Sequence, residues 1–141
     1  MKHFVREITL ATLREMEFVD LSEKVQAVLT ESGIQSGLLT VFTQHTTTAI
    51  LLNEKEEGLQ KDMALFLSHM APAGKDYHHD KEPQDGCCNT HSHLQSLLLP
   101  ASQVVPVVGG KLALGRWQTL FFVDLDGPRP VGRLTVQVIG L

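Results

Sequence analysis

At 141 residues the chain has the length of one domain, enough to bury a substantial core. Twelve Lys and Arg against sixteen Asp and Glu leave a formal charge of -4, so electrostatics make no case for nucleic acid or an anionic membrane as the main partner. No apolar run approaches the roughly 18 residues needed to span a bilayer. Met1-Lys2-His3-Phe4, followed by Arg6 and Glu7, does not read as a signal peptide. The only two cysteines, Cys87 and Cys88, are adjacent, which argues against a disulfide framework and for a reducing, cytoplasmic setting. Seven histidines is a high number for this length, and five of them fall between His69 and His93.

His3 to Leu10 alternates, with Phe4, Ile8 and Leu10 on one side and His3, Glu7 and Thr9 on the other, as expected of a half-exposed opening strand. Glu15 to Val19 is a short second strand or a connection. Asp20 with Glu23 forms a capping-box pattern ahead of a helix whose apolar stripe is Leu21, Val25, Val28 and Leu29, stopped at Gly33. Gly37 to Thr43 is rich in β-formers and runs into Gln44-His45-Thr46-Thr47-Thr48, after which Ala49 to Leu52 is apolar again. Asn53 to Met70 reads as a second helix, with Asn53 as N-cap, glutamates in the first turn and Leu59, Met63, Phe66, Leu67 and Met70 as the buried stripe. Ala71 to Cys88 is a long loop. Asn89 to Leu99 is a third helix, ended by Pro100, in which Leu94 to Leu99 is expected to be buried. Asn89 and His93 then lie one turn apart on one face while His91 points elsewhere, toward Gln95. From Ser102 the chain is strands and turns, with hairpin signals at Gly109-Gly110 and Asp126-Gly127. The order predicts one α+β domain over 1–141, a mostly antiparallel β-sandwich with three helices.

Histidine is the commonest metal ligand and the commonest general base near neutral pH. His91 and His93, with His79 upstream and His45 on another strand, offer three imidazoles, and three nitrogens plus water is the open pattern of catalytic zinc. A solvated His-rich loop accounts for the same composition. At His45, a Thr-rich strand face with one hydrogen-bonded His is the competing account. Glu54 and Asp62 are the acidic residues that helix capping leaves unexplained. Arg129 follows the Asp126-Gly127-Pro128 turn, placed either to grip phosphate or to pair with Asp126. Trp117 fits core or interface as well as a substrate platform. Gly109-Gly110 lies between strands, so P-loop and Rossmann readings fail, and no Gly-x-Ser-x-Gly elbow occurs.

Gln44-His45-Thr46-Thr47, Tyr77-His78-His79, Asn89-Thr90-His91-Ser92-His93-Leu94, Gly115-Arg116-Trp117-Gln118 and Asp126-Gly127-Pro128-Arg129 stand in the order of the YjbQ/UPF0047 family, which the chain resembles over nearly its whole length. Members are described as secondary thiamine-phosphate synthases, which join a pyrimidine diphosphate to a thiazole phosphate and release pyrophosphate. The resemblance implies an α+β sandwich assembled as a homotrimer with a His-lined pocket near the subunit boundary. It also implies site positions at His45, Asp62, His79, Asn89, His93 and Arg129. Two departures stand out: Arg116 replaces the usual Thr before Trp-Gln, and Leu99-Pro100 replaces a usual Gly.

These readings combine into a metal-assisted enzyme acting on a phosphorylated small molecule. His45, Asp62 and His93 are its candidate catalytic residues, and Thr46, Thr47, Asn89, Trp117, Gln118 and Arg129 its candidate substrate contacts. His79, His91 and His93 are the candidate ligands of a divalent ion, zinc by donor chemistry. The chain lacks the clustered aspartates usual for magnesium-pyrophosphate handling, which keeps hydrolysis of a phosphate or amide substrate in view. A non-catalytic metal- or anion-binding module, and a purely structural trimer, are the other classes.

Overall fold

The computed structural model describes residues 1–141. Eight strands and four helices follow one another as β1 (Lys2–Leu10), β2 (Glu17–Asp20), α1 (Ser22–Ser32), β3 (Ser36–Thr43), β4 (Thr48–Asn53), α2 (Glu57–Met70), α3 (His78–Lys81), α4 (Thr90–Ser96), β5 (Ser102–Val108), β6 (Lys111–Leu112), β7 (Thr119–Asp124) and β8 (Gly132–Gly140). The strands form a five-stranded sheet in the order β1-β8-β3-β5-β6 and a three-stranded sheet in the order β2-β7-β4. Every pairing is antiparallel. The expected α+β sandwich is therefore present.

The layers follow from side-chain period. Leu39, Val41, Val107, Leu134, Val136 and Val138 of the large sheet meet Ile50, Leu120 and Phe122 of the small one, and Val25, Val28 and Leu29 of α1 join the same core. A second, smaller core lies on the other face of the small sheet, where Phe121 and Val123 of β7 and Ala49 of β4 meet Leu67 of α2 and Leu125. β7 thus buries alternate residues in opposite directions. This is why Leu120 to Val123 reads as an unbroken apolar run rather than an alternating one. No helix is long and apolar enough to cross a membrane.

Helix starts depart from expectation. Asp20 ends β2, and its carboxylate accepts from the Ser22 backbone N–H (2.9 Å) one residue ahead of the uncapped Leu21, so no capping box forms with Glu23. Asn53 is claimed by β4, paired to Thr119 of β7, and α2 starts four residues later under Glu56, which accepts from Gly58 and Leu59. The loop after α2 contains a fourth, one-turn helix, α3. Its Asp80 accepts from both the backbone N–H (3.1 Å) and the hydroxyl (2.6 Å) of Thr90, satisfying the first turn of α4. The Thr90 hydroxyl, with the backbone bond beside it, holds the Asp80 carboxyl below its ordinary value.

The apolar end of α4 is the clearest reversal. Leu97 and Leu98 are exposed, whereas the buried residues of this helix are Thr90, Ser92 and Gln95. Ser92 and Gln95 both reach backbone carbonyls. Ser92 Oγ donates to Leu125 O (2.6 Å), and Gln95 Nε2 faces the carbonyls of Leu67 and Ala71 at the end of α2. Helix α4 docks by hydrogen bonds, not by a leucine stripe.

Residues 126–129 are laced to the segment after β1. Gly127 N donates to Glu15 O (2.8 Å), Thr12 N donates to Arg129 O (2.9 Å), and the Gly127–Pro128 peptide is cis. A Cβ at Gly127 would collide with the Arg14 carbonyl oxygen. Gly127→Ala is therefore expected to lower the urea midpoint by the equivalent of about 1–3 kcal/mol. A chemical-shift map of the variant should show the disturbance centred on Thr12 and Arg129, not on the sheet core.

Candidate functional site

The carboxyl end of β7 carries the first half of the site. Asp124 is fully buried, and its two oxygens face the Nε and Nη2 of Arg129, both at 3.3 Å. Asp124 also accepts from the Thr12 hydroxyl (2.6 Å) and the Asp126 backbone N–H (3.0 Å). Arg129 Nη2 donates to Thr47 Oγ1 (2.9 Å). A buried carboxylate so supplied with donors holds one edge of the guanidinium fork in place and leaves Nη1 uncommitted on a side chain that is 20% exposed. Arg129 therefore pairs with Asp124, not with the Asp126 of its own turn. Removing the Asp124 charge would strand the guanidinium, at a cost of about 3 kcal/mol by analogy with other buried pairs.

His45 stands on the β3–β4 connection beside this pair. Its Nε2 accepts from the backbone N–H of Arg133 (2.9 Å), which fixes the lone pair there and the ring proton on Nδ1. Burial pushes the imidazole below its ordinary pKa, and Arg129 and then Arg133 push the same way against the opposing pull of Asp124. The neutral ring consequently offers an N–H donor. As placed, it is not a general base, and this corrects the base role among the candidate catalytic residues. Thr47 is buried and committed to Arg129, while Thr46 is exposed.

The second half is built around Asn89, the residue before α4. Asn89 Nδ2 donates to Asp126 Oδ2 (2.7 Å), so its Oδ1 faces His79 Nε2 (3.1 Å), which must carry the proton. The Asp126–Asn89–His79 chain of hydrogen bonds leaves Nδ1 of His79 as a lone pair. His93, one turn beyond Asn89, packs edge-to-face on His79 with centroids 5.0 Å apart. The expectation that Asn89 and His93 share a face is met, with His79 joining them.

Leu125 lies between the halves. Its N–H donates to Thr47 O (3.0 Å), and its carbonyl accepts from Ser92 Oγ (2.6 Å), so the His45 loop and α4 hang on one residue.

Four expected site residues lie elsewhere in the protomer. His91 faces Glu15 across 3.4 Å and lines a different cavity, so the His79–His91–His93 ligand set is not assembled, and the chain gathers no group of three His, Cys, Asp or Glu suited to a metal. Asp62 is exposed at an apolar groove lined by Phe18, Leu51, Leu59 and Phe66. Trp117 and Gln118 precede β7, whereas Asp124 ends it. Six strand residues at about 3.3 Å each set them roughly 20 Å apart, so one protomer cannot place them around one small ligand with Arg129. The Arg116 guanidinium covers the exposed Trp117 ring at 4.8 Å, and Gln118 Oε1 accepts from Gly115 N. Cys87 is exposed, and the neighbouring Asp85 carboxylate pushes its thiol up, which disfavours a thiolate ligand.

Asp124 and Thr12 were not singled out from the sequence. An aspartate closing the apolar run Leu120 to Val123 was the available signal, because a charge in a doubly buried strand needs a partner. Thr12 carries no such mark.

Because the His45 pKa is lowered on folding, the unfolded chain takes up its proton first, near pH 6.5. The stabilisation is complete above that pH and is lost as pH falls toward the lower folded value. Urea midpoints at pH 7.5 and pH 5 should therefore diverge more for the native chain than for His45→Gln. Equal pH slopes for the two would refute the assignment.

Comparisons with known proteins agree with this architecture. Residues 6–141 match the sequence model of the UPF0047 protein YjbQ-like family. A UPF0047 protein of Methanothermobacter thermautotrophicus is 41% identical over 140 residues, covering 99% of this chain and 94% of the relative. The UPF0047 protein YugU of Bacillus subtilis is 34% identical over 89% of this chain and 92% of its own. Among solved structures, a YbjQ-like protein of unknown function from Sulfolobus solfataricus superposes with a TM-score of 0.93 at 35% identity, covering 99% of both chains. A hypothetical protein from Aeropyrum pernix gives 0.90 at 34% identity, covering 97% of this chain and 98% of its own. The chain belongs to the YjbQ-like UPF0047 family.

Proposed function

We propose that the protein is an enzyme acting on a phosphorylated small molecule, which it holds by anionic oxygens on Arg129 and His45 and processes with His79 and His93. The observation that carries this reading is the buried Asp124–Arg129 pair, which fixes a guanidinium with its Nη1 free beside a neutral imidazole N–H donor. Such a pair of donors suits a phosphate oxygen, and Arg rather than Lys suits it because the fork is rigid. The lone-pair nitrogen of His79, backed by Asn89 and Asp126, supplies the base.

A divalent ion belongs to the same proposal on narrower terms. His79 and His93 are the residues to hold it, in which case the one free lone pair of His79 serves the ion in place of a proton, and two imidazoles fall one short of the three protein ligands usual at catalytic zinc. Bound there, such an ion would act as a Lewis acid toward a phosphate oxygen. Thiamine-phosphate synthesis is the specific activity to assay first, with phosphate-ester hydrolysis beside it.

One observation favours the second reading, a non-catalytic anion- or metal-binding module: the first half of the site contains donors but no free base. The two readings separate in one experiment. The purified chain is given the pyrimidine diphosphate and the thiazole phosphate, and thiamine phosphate and released pyrophosphate are measured, with bound metal determined in the same preparation. The enzyme reading expects turnover that falls about a hundredfold in His79→Ala and His93→Ala, and a KM for the phosphorylated substrate about tenfold higher in Arg129→Lys. Saturable binding of the phosphates without turnover by either chemistry would establish the module instead.

We also place the working unit in a homotrimer. Val5, Leu38, Phe42, Val104 and Ile139 are each more than 40% exposed and share the outer face of the five-stranded sheet, a surface better suited to another protomer than to water. Trp117 and Gln118, out of reach within their own protomer, would then meet a neighbour's site. Light scattering should give three times the chain mass, and Leu38→Glu with Phe42→Arg should yield monomers; a monomeric native chain would refute the assembly.

A further inference from the structure

The histidine that does not join His79 and His93 lies in a second cavity of about 350 Å³, between the end of α2, the segment before β2 and α4. Met16, Ala64, Pro72 and Leu125 give it apolar walls, and its polar side chains are Glu15, Ser68, His91 and Gln95. Their hydrogen-bonding states can be worked out one at a time.

Gln95 is 2% exposed. Its amide nitrogen points at two backbone carbonyls, Leu67 O at 3.4 Å and Ala71 O at 3.2 Å, which fixes the amide orientation. The other end, Oε1, is buried without a donor. His91 Nε2 faces the Glu15 carboxylate at 3.4 Å and so carries the ring proton, which leaves Nδ1 as a lone pair. That nitrogen, too, is buried without a partner. Glu15 is 74% exposed at the mouth, and its backbone rather than its side chain is used by the Gly127 turn. The cavity therefore has two unmatched acceptors buried just behind its wall and a carboxylate at its mouth, and the exposed Ser68 hydroxyl, able to donate or accept, is its other polar group. Unpaired acceptors at this depth are unfavourable until a donor reaches them.

We propose that this cavity is a second ligand site, one that takes a small planar cation rich in N–H donors, an amidinium or guanidinium with an apolar flank. Gln95 Oε1 and His91 Nδ1 would accept its N–H groups while Glu15 balances its charge. The apolar walls would cover the flank. A phosphate or carboxylate ligand is disfavoured here, since both unmatched buried atoms are acceptors and Glu15 is anionic, against a single uncommitted side-chain donor, the Ser68 hydroxyl. This is the reverse of the Arg129 site, and the two sites share only the wall at Leu125.

Benzamidine is the probe, because its amidinium is planar and its ring suits the apolar walls. Calorimetric titration of the full chain at pH 7.5 should show saturable one-to-one binding, with benzoate and benzyl alcohol showing none. Glu15→Gln, a change at an exposed position, should weaken binding at least fivefold, and His91→Phe at least tenfold. Gln95→Leu should abolish it; because the Gln95 amide also braces α2, the Glu15 and His91 variants stand as the test if that variant does not fold. His79→Ala should bind benzamidine like the native chain, so failure of the phosphate-site reading leaves this result intact. No saturable binding would mean that the acceptors are met by water alone. Benzoate binding as well as benzamidine, or indifference to Glu15→Gln and His91→Phe, would equally overturn the proposal.

Discussion

The Asp124–Arg129 pair is the constraint from which most of this structure can be reasoned outward. A charge at the end of a strand buried on both faces is unfavourable unless its desolvation is offset by near-complete hydrogen bonding. Asp124 achieves this with four donors from three residues on two segments: the Thr12 hydroxyl, the Asp126 backbone and two guanidinium nitrogens of Arg129. Those partners fix where the chain after β1 must pass and how tightly it must turn after Leu125. They also fix where Arg129 points. The need to satisfy one buried carboxylate thus sets the geometry of the proposed anion site.

Proton placement then distinguishes histidines that look alike in sequence. A backbone N–H makes His45 a donor at Nδ1, whereas an asparagine carbonyl makes His79 an acceptor at Nδ1. A carboxylate makes His91 an acceptor in a different cavity. The ring is the same each time, and its role is assigned by whichever atom faces its other nitrogen. Hence His45, His79 and His91 cannot be pooled as interchangeable ligands, and a count of imidazoles overstates how many can serve one ion.

Features governed by local rules were legible in the sequence. The alternation of β1, the Gly109-Gly110 turn and the shared face of Asn89 and His93 all follow from period and turn chemistry. What failed depended on pairing at long range. Asn53 looks like an N-cap until Thr119 claims it for a sheet, and Asp126 looks like the partner of Arg129 until the burial of Asp124 is known. Leu97 and Leu98 look like core because apolar runs usually are. The reversal there reflects the room already taken by Ser92 and Gln95, whose hydrogen bonds to Leu125 and α2 fix which face of α4 turns inward. The family motifs mark segments without saying which of them meet.

That last distinction bears on how such a site works. Motif residues close in sequence order, such as Trp117-Gln118 and Asp126 to Arg129, lie at opposite ends of one extended strand, and an extended strand of this length is not bent back on itself by side-chain motion. Rearrangement within the protomer therefore offers no route to a site containing both. Either Trp117 and Gln118 have a task of their own at the protein surface, or they act on a neighbouring chain whose β7 end is presented to them. The apolar outer face of the large sheet and the Trp117 ring under Arg116 both suit the second arrangement, in which burial on association would complete the substrate site. In the proposed trimer, association and substrate binding would depend on the same surfaces, so a variant that dissociates the protomers should lose substrate affinity even with Arg129, His45, His79 and His93 untouched.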